Sequence, residues 1–191
     1  VVRRTAADRG RDVRLRLLNT AAELITELGW AAVSTRILAE RAGVTPGLVH
    51  YHFPSLQALL RDAALGMVSD LLFGAEAFFD EARSLDAGLD VMFASLDADT
   101  ATSTRSLLLA ETYLAANRDE ALRSELSALV AEFQQRLARW LAEHGASTPD
   151  ATASVLAATL DGLLLHRVVN PRLDSSTVAP VLRRLASAPP A

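Results

Sequence analysis

No cysteine and no lysine occur in this 191-residue sequence. The first absence removes disulfides, thiolate zinc sites and cysteine nucleophiles, and is neutral on cellular compartment. The second leaves all 19 basic residues as arginine, which fits a GC-rich coding bias better than a functional signal. Aromatic residues make up only 5% of the chain and strand-like runs are nearly absent, so a sheet has little to build on. No stretch approaches the roughly 20 uninterrupted apolar residues of a membrane span, and no apolar segment follows the N-terminal arginines as in a signal peptide. A soluble cytoplasmic protein with no membrane partner is expected. No Ser/His/Asp set, glycine-rich phosphate loop or His-Glu-x-x-His motif occurs, so neither an enzyme nor a cofactor is expected. His50 and His52 stand two apart, about 200° around a helix, and are poorly placed to share an ion. No metal site is expected.

What is present favours helix. Half the residues are hydrophobic, dominated by Ala and Leu, which are strong helix formers that pack closely in bundles. The length suits a small head on a larger body, and a head of about 55 residues alone would be marginal. Charge is uneven: residues 1–60 hold eight arginines against five acids, and the remainder holds eleven against eighteen. A net charge of -4 therefore hides a basic head on an acidic body, the footprint of local phosphate neutralisation.

Residues 1–11 are polar and arginine-rich and are expected to form a flexible arm. From Val13 a helix is signalled by Leu18, Ala21, Ala22, Ile25 and Leu28 on one face, with Gly29 as its stop. Ser34 or Thr35 caps a second helix, with Leu38, Ala39 and Ala42 inward and Gly43 at its end. A third opens at Thr45 and Pro46 and runs to about Phe53; Pro54 breaks it, and Ser55 caps a fourth that reaches Phe73. Further helices are expected near 76–83, 86–98, 104–116, 119–144, 149–169 and 176–187. The expected organisation is an arm (1–11), a helix-turn-helix domain (12–54) and a larger helical domain (55–187).

Two short helices joined by three residues, with small Ala39 at the crossing and Gly43 at a left-handed turn, meet the steric needs of a helix-turn-helix. An ordinary helical corner is the alternative from pattern alone. The stretch from Ser34 to Leu60, STRILAERAGVTPGLVHYHFPSLQALL, resembles the DNA-binding head of the TetR family almost throughout. The detailed resemblance covers about residues 12–65; beyond it the chain matches in helix pattern and length. It implies an all-α protein of about nine or ten helices, with a three-helix DNA-binding head and an antiparallel helical domain for ligand binding and dimerisation. Its implied function is a transcriptional regulator, by default a repressor that a small molecule releases from its operator.

Carried over residue by residue, the resemblance places Thr35 on phosphate and Arg36 at a base edge, guanine being the usual bidentate partner. Thr45 and the first amides of the third helix would hold a phosphate, Pro46, Gly47 and Leu48 would approach bases, and Tyr51 and His52 would donate to phosphate or base. Three positions depart from the family pattern. His50 replaces a common tyrosine, Leu56 stands where a lysine often anchors phosphate, and Ile37 where a polar residue is frequent. The six arginines among residues 1–16 would compensate by reaching phosphate or the minor groove; a solvated terminus is the alternative.

The resemblance also implies a body cavity for an effector. Its candidate liners are Phe73, Phe78, Phe79, Met92, Phe93, Leu108, Glu111, Tyr113, Phe133 and His166, an apolar set with a few polar groups. Plain core is the alternative for each. The long helices 119–144 and 149–169 would pair with their mates as a four-helix bundle in a homodimer, with Arg136, Arg139, Trp140, Leu156, Leu160, Leu163, Leu164 and Arg167 contributing. Two rivals stand beside this reading. A helical enzyme or carrier would leave the 34–53 motif without purpose, and a DNA-binding dimer governed by a partner protein would lack the effector.

Overall fold

A computed structural model describes residues 5–74, 82, 84–97, 104–167, 169–170, 172–173 and 175–187. Among these it contains nine α-helices and no strand. In chain order they are α1 (Ala6–Leu28), α2 (Thr35–Ala42), α3 (Pro46–His52), α4 (Leu56–Phe73), α5 (Leu85–Asp97), α6 (Thr104–Ala116), α7 (Glu120–Glu143), α8 (Pro149–Arg167) and α9 (Ser175–Ser187), with a 3₁₀ turn at Trp30–Ala32 after α1. The helix expected near 76–83 falls almost wholly outside the described residues.

The first helix replaces residues 6–11 of the expected flexible arm, and residues 1–4 of that arm lie outside the described residues. It starts at Ala6, not near Val13, because Thr5 and Asp8 form a reciprocal cap. The Thr5 hydroxyl accepts the Asp8 N–H at 3.1 Å, and the Asp8 carboxylate accepts the Thr5 N–H at 2.9 Å. Two of the N–H groups that a helix start leaves orphaned are thereby satisfied. The Thr5 hydroxyl also donates to the Asp8 carboxylate at 2.7 Å, and this bond, followed by that of the Thr5 N–H, holds the Asp8 carboxyl below its ordinary value. Arg11 pairs with Asp8 one turn on, so part of the basic run is helical surface. Gly29 ends α1 at φ +82°, its N–H bonded to the Ile25 carbonyl. Leu28 shares the apolar stripe yet stays 45% exposed; periodicity identifies a face but not how far along it neighbours extend.

The chain forms two compact units. One comprises Val1–Val68 with Leu108–Arg123, so the unit holding the helix-turn-helix is larger than residues 12–54. Its core brings Leu17, Leu24 and Ile25 of α1 together with Leu38, Val49, Phe53, Leu59, Leu60 and, from α6, Leu108. A fully buried leucine contributes about 1.5–3 kcal/mol, so this cluster supplies much of what an isolated three-helix head would lack.

The other unit comprises Ser69–Leu107 and Ser124–Ala191. In it α9 packs against α5 and α8. Arg183 of α9 reaches Asp90 and Asp86 of α5. Gly88 of α5 lies against the Trp140 indole so closely that a Cβ there would stand 2.1 Å from the ring. Trp140 in turn stacks on His144, ring centroids 4.5 Å apart.

Candidate nucleic-acid interface

The Gly29–Val33 connector leads into Ser34, the N-cap of α2, whose hydroxyl accepts the Ile37 N–H at 3.3 Å. Leu38, Ala39 and Ala42 turn inward and are buried. Gly43 closes the helix in the left-handed region (φ 65°, ψ 39°), where a side chain would be strained. There the Val44 N–H bonds the Ala39 carbonyl at 2.9 Å and the Gly43 N–H the Glu40 carbonyl at 3.2 Å. These bonds satisfy carbonyls that the helix end would otherwise leave open.

Thr45 then takes the N-cap of α3 in extended backbone, its side chain making no capping bond, and Pro46 fills the first turn. In α3 only Val49 is buried, and Phe53 just after it is buried too. Pro46, Gly47 and His50 face solvent, Leu48 and His52 are half-buried, and Tyr51 is 81% exposed. The short helix is thus anchored by two apolar residues and presents the rest. On α2, Arg36 is exposed and Thr35 half-buried. Thr35, Arg36, Thr45, Pro46, Gly47, Leu48, Tyr51 and His52, with His50 as a ninth expected DNA-binding residue, thus lie on α2, α3 and the α3 N-cap.

Polar ties between helices hold this arrangement, and none of them was visible in the sequence pattern. Arg41 of α2 grips Glu27 of α1 through two bonds of 3.0 and 2.9 Å, the geometry that matches a guanidinium to a carboxylate. That fork draws the Glu27 carboxyl below its ordinary value. Arg14 of α1 lies 4.8 Å over the Phe53 ring and bonds Asp62 of α4 at 2.7 Å. The Trp30 indole donates to Gln57 at 3.1 Å. Two departures from the family pattern also gain a reason: Ile37 and Leu56 are half-buried against the head core, so they serve packing where a polar residue would serve phosphate.

The expected effector liners do not form one group. Phe73 and Phe133 meet edge to face at 6.4 Å, with the Arg136 guanidinium 4.9 Å over Phe73. Met92 and Phe93 are buried in the same unit. Leu108, Glu111 and Tyr113 belong to the unit containing the head, which corrects their assignment to a body cavity. Leu108 is core there, and Glu111 accepts the Trp30 N–H at 2.9 Å. His166 is exposed, a second correction, because its helix turns it to solvent. Phe78 and Phe79 lie outside the described residues. A hollow of about 170 Å³ does occur, lined by Thr148, Ala151, Thr152, Val155, Leu156 and Leu185, none of them an expected liner. It is smaller than the roughly 300–1,000 Å³ typical of small-molecule sites.

The dimer residues need a similar correction. Trp140, Leu156, Leu163 and Leu164 are buried within the single chain, so they have little surface left for a partner. Arg136 is exposed and paired with Glu132, Arg139 is exposed and Leu160 half-buried; the Arg167 side chain lies outside the described ones. The apolar surface of α8 is instead Val155, 49% exposed, and Leu165, 37% exposed. Ala151 and Ala158 are exposed on the same stripe. An i, i+4, i+7 count from Ala151 identifies this second face.

An outward three-helix reader on an all-helical chain defines the class of helix-turn-helix DNA-binding proteins. Comparison with known proteins narrows it. Residues 17–63 match the model of bacterial regulatory proteins of the tetR family, and residues 83–188 that of the tetracyclin repressor-like C-terminal domain. An uncharacterised HTH-type transcriptional regulator of Mycobacterium tuberculosis H37Rv is 26% identical over 196 residues, covering 97% of this chain and 98% of the relative. An HTH-type transcriptional repressor of Rhodococcus jostii RHA1 is 32% identical over 108 residues, 56% of this chain and 49% of the relative. The solved structure of the multidrug binding protein EbrR, complexed with imidazole, is 30% identical with a TM-score of 0.66, covering 93% of this chain and 97% of that one. The chain belongs to the TetR family of DNA-binding transcriptional regulators.

Proposed function

We propose that the protein is a dimeric cytoplasmic repressor that places α3 of each copy in successive major grooves of a near-palindromic operator and leaves it when a small molecule binds. The observation that carries this reading is the orientation of α3, with Val49 and Phe53 buried and Tyr51 in solvent. Thr35, Thr45, Tyr51 and His52 contact phosphate in this reading, and Arg36, Pro46, Gly47 and Leu48 approach bases; His50, exposed beside them, adds a further donor. Half-sites about 34–36 Å apart suit such a dimer.

Dimerisation is assigned to α7 and α8, through Arg139 of α7 and the Ala151, Val155, Ala158 and Leu165 stripe of α8. The effector is assigned to the unit holding Phe73, Met92, Phe93 and Phe133, and the existence of an effector is supported by the similar protein described as multidrug binding. An effector shifts the equilibrium only by its difference in affinity between the two states. No helix among the described residues is long and apolar enough to cross a membrane.

The test begins with a duplex selected on the parent protein from a randomised library. Arg36→Ala and Tyr51→Ala should each weaken binding to it by about 1–3 kcal/mol while sedimentation still shows a dimer. Gly47→Ala adds a methyl into open space, so it should leave the fold intact and report only on close approach of DNA. Parent-like binding by all three variants would sink the interface.

A further inference from the structure

Glu111 is an acid that follows the apolar run Leu107–Ala110 of α6, and it is half-buried. Such a group is costly unless it is hydrogen-bonded. Its partner is the backbone N–H of Trp30, 81 residues away in sequence, at 2.9 Å. That N–H opens the 3₁₀ turn Trp30–Ala32, where an N–H lacks an intrahelical acceptor. Gly29 lies beside the same carboxylate, where a Cβ would make ordinary contact at 3.6 Å, and its φ of +82° is what calls for glycine there. The carboxylate is itself fixed. Leu108, one turn before it on α6, is fully buried in the head core, and Asp119 beyond α6 meets Arg61 of α4 at 3.5 Å.

The turn so held runs directly into α2. Val33 is buried, Ser34 is the cap, and Thr35 and Arg36 follow. We infer that Glu111 is a positioning residue for operator binding: by latching the Trp30 amide it fixes the turn that delivers Thr35 and Arg36 to DNA. This rests on the reading of those two residues as operator contacts. Without the latch the turn samples other conformations, and affinity falls by the fraction of molecules that remain competent.

The experiment uses the full chain and the selected duplex, with operator affinity and hydrogen exchange at the Trp30 amide as readouts. Glu111→Met keeps the length and removes the acceptor, and Glu111→Gln keeps an acceptor oxygen. The methionine variant should bind about tenfold more weakly and exchange faster at Trp30, with the core amides of Ile25 and Leu60 unchanged. The glutamine variant should stay within about threefold of the parent. Arg36→Ala should lose affinity with Trp30 exchange unaltered; if it binds like the parent, the contact reading fails while the latch is still judged by exchange. Methionine and glutamine variants that match the parent, or that lose affinity equally, overturn the proposal. Should the methionine variant not fold, the parent decides: duplex binding should slow Trp30 exchange, by reciprocity of coupling, and an unchanged rate overturns it.

Discussion

The two units are fastened by different physics. In the unit with the helix-turn-helix, directional polar ties cross between helices over a leucine core: Glu27 to Arg41, Arg14 to Asp62, Trp30 to Gln57 and to Glu111, Arg61 to Asp119. Among the described residues of the other unit, packed volume is prominent, as in Trp140 against Gly88 and Phe73 against Phe133, beside the ties of Arg183 to Asp90 and of His144 to the Ala82 carbonyl. Directional bonds set angles, which a reader of groove geometry requires. Packed volume tolerates rearrangement so long as space stays filled, which suits a region assigned to an adaptable ligand.

The contrast is tested most severely at Leu108. If α6 completes the head core, Leu108→Ala should cost about 2–5 kcal/mol, read as a shift in the urea midpoint, and should impair operator binding through the fold. A cost below about 1 kcal/mol would remove α6 from that core. Next in size, Gly88→Ala forces a methyl into the Trp140 ring and should cost about 1–3 kcal/mol. Pairing it with Trp140→Phe should restore part of the loss; no interaction in that double-mutant cycle would count against volume as the fastening of this unit.

The smallest expected effect sharpens the polar side of the comparison. Glu27 has its carboxyl lowered by the Arg41 bond, so the pair adds stability that is present above the ordinary glutamate value of 4.5 and is lost as acid carries the pH down through the lowered one. The gap in melting temperature between parent and Arg41→Met should therefore be full near neutrality and close on acidification. The pair is exposed and screened by salt, so the gap should be small and narrow further at high ionic strength. A gap that widens in acid would reverse the assigned sign.

Legibility followed the range of the forces. Ser34, Gly43, Thr45 and Pro46 act on backbone within a few residues of themselves, so their roles showed in the sequence. The Thr5 and Asp8 cap is equally local, but the arginines around it signalled a disordered arm and outweighed it. Glu111 stood out as an acid among apolar neighbours, yet its partner is a main-chain amide 81 residues away, which no pattern reveals. In α8 both faces are apolar, so period alone did not separate Leu156, Leu163 and Leu164 of the core from Val155 and Leu165 at the surface. Trp140 was placed at an interface because the resemblance puts its helix there, and its contact with Gly88 was not legible, since glycine has no side chain to advertise it.

Because Leu108–Arg123 belongs to the same compact unit as Val1–Val68, the reading head is not a detachable cassette. A fragment cut after Pro54 would lack Leu59, Leu60 and Leu108, which share one buried cluster with Leu17, Leu38 and Phe53. Anyone grafting this head onto a foreign regulator would have to import the distant strip from Leu108 to Arg123 with it, or find a host whose corresponding helix offers the same leucine and the same acid.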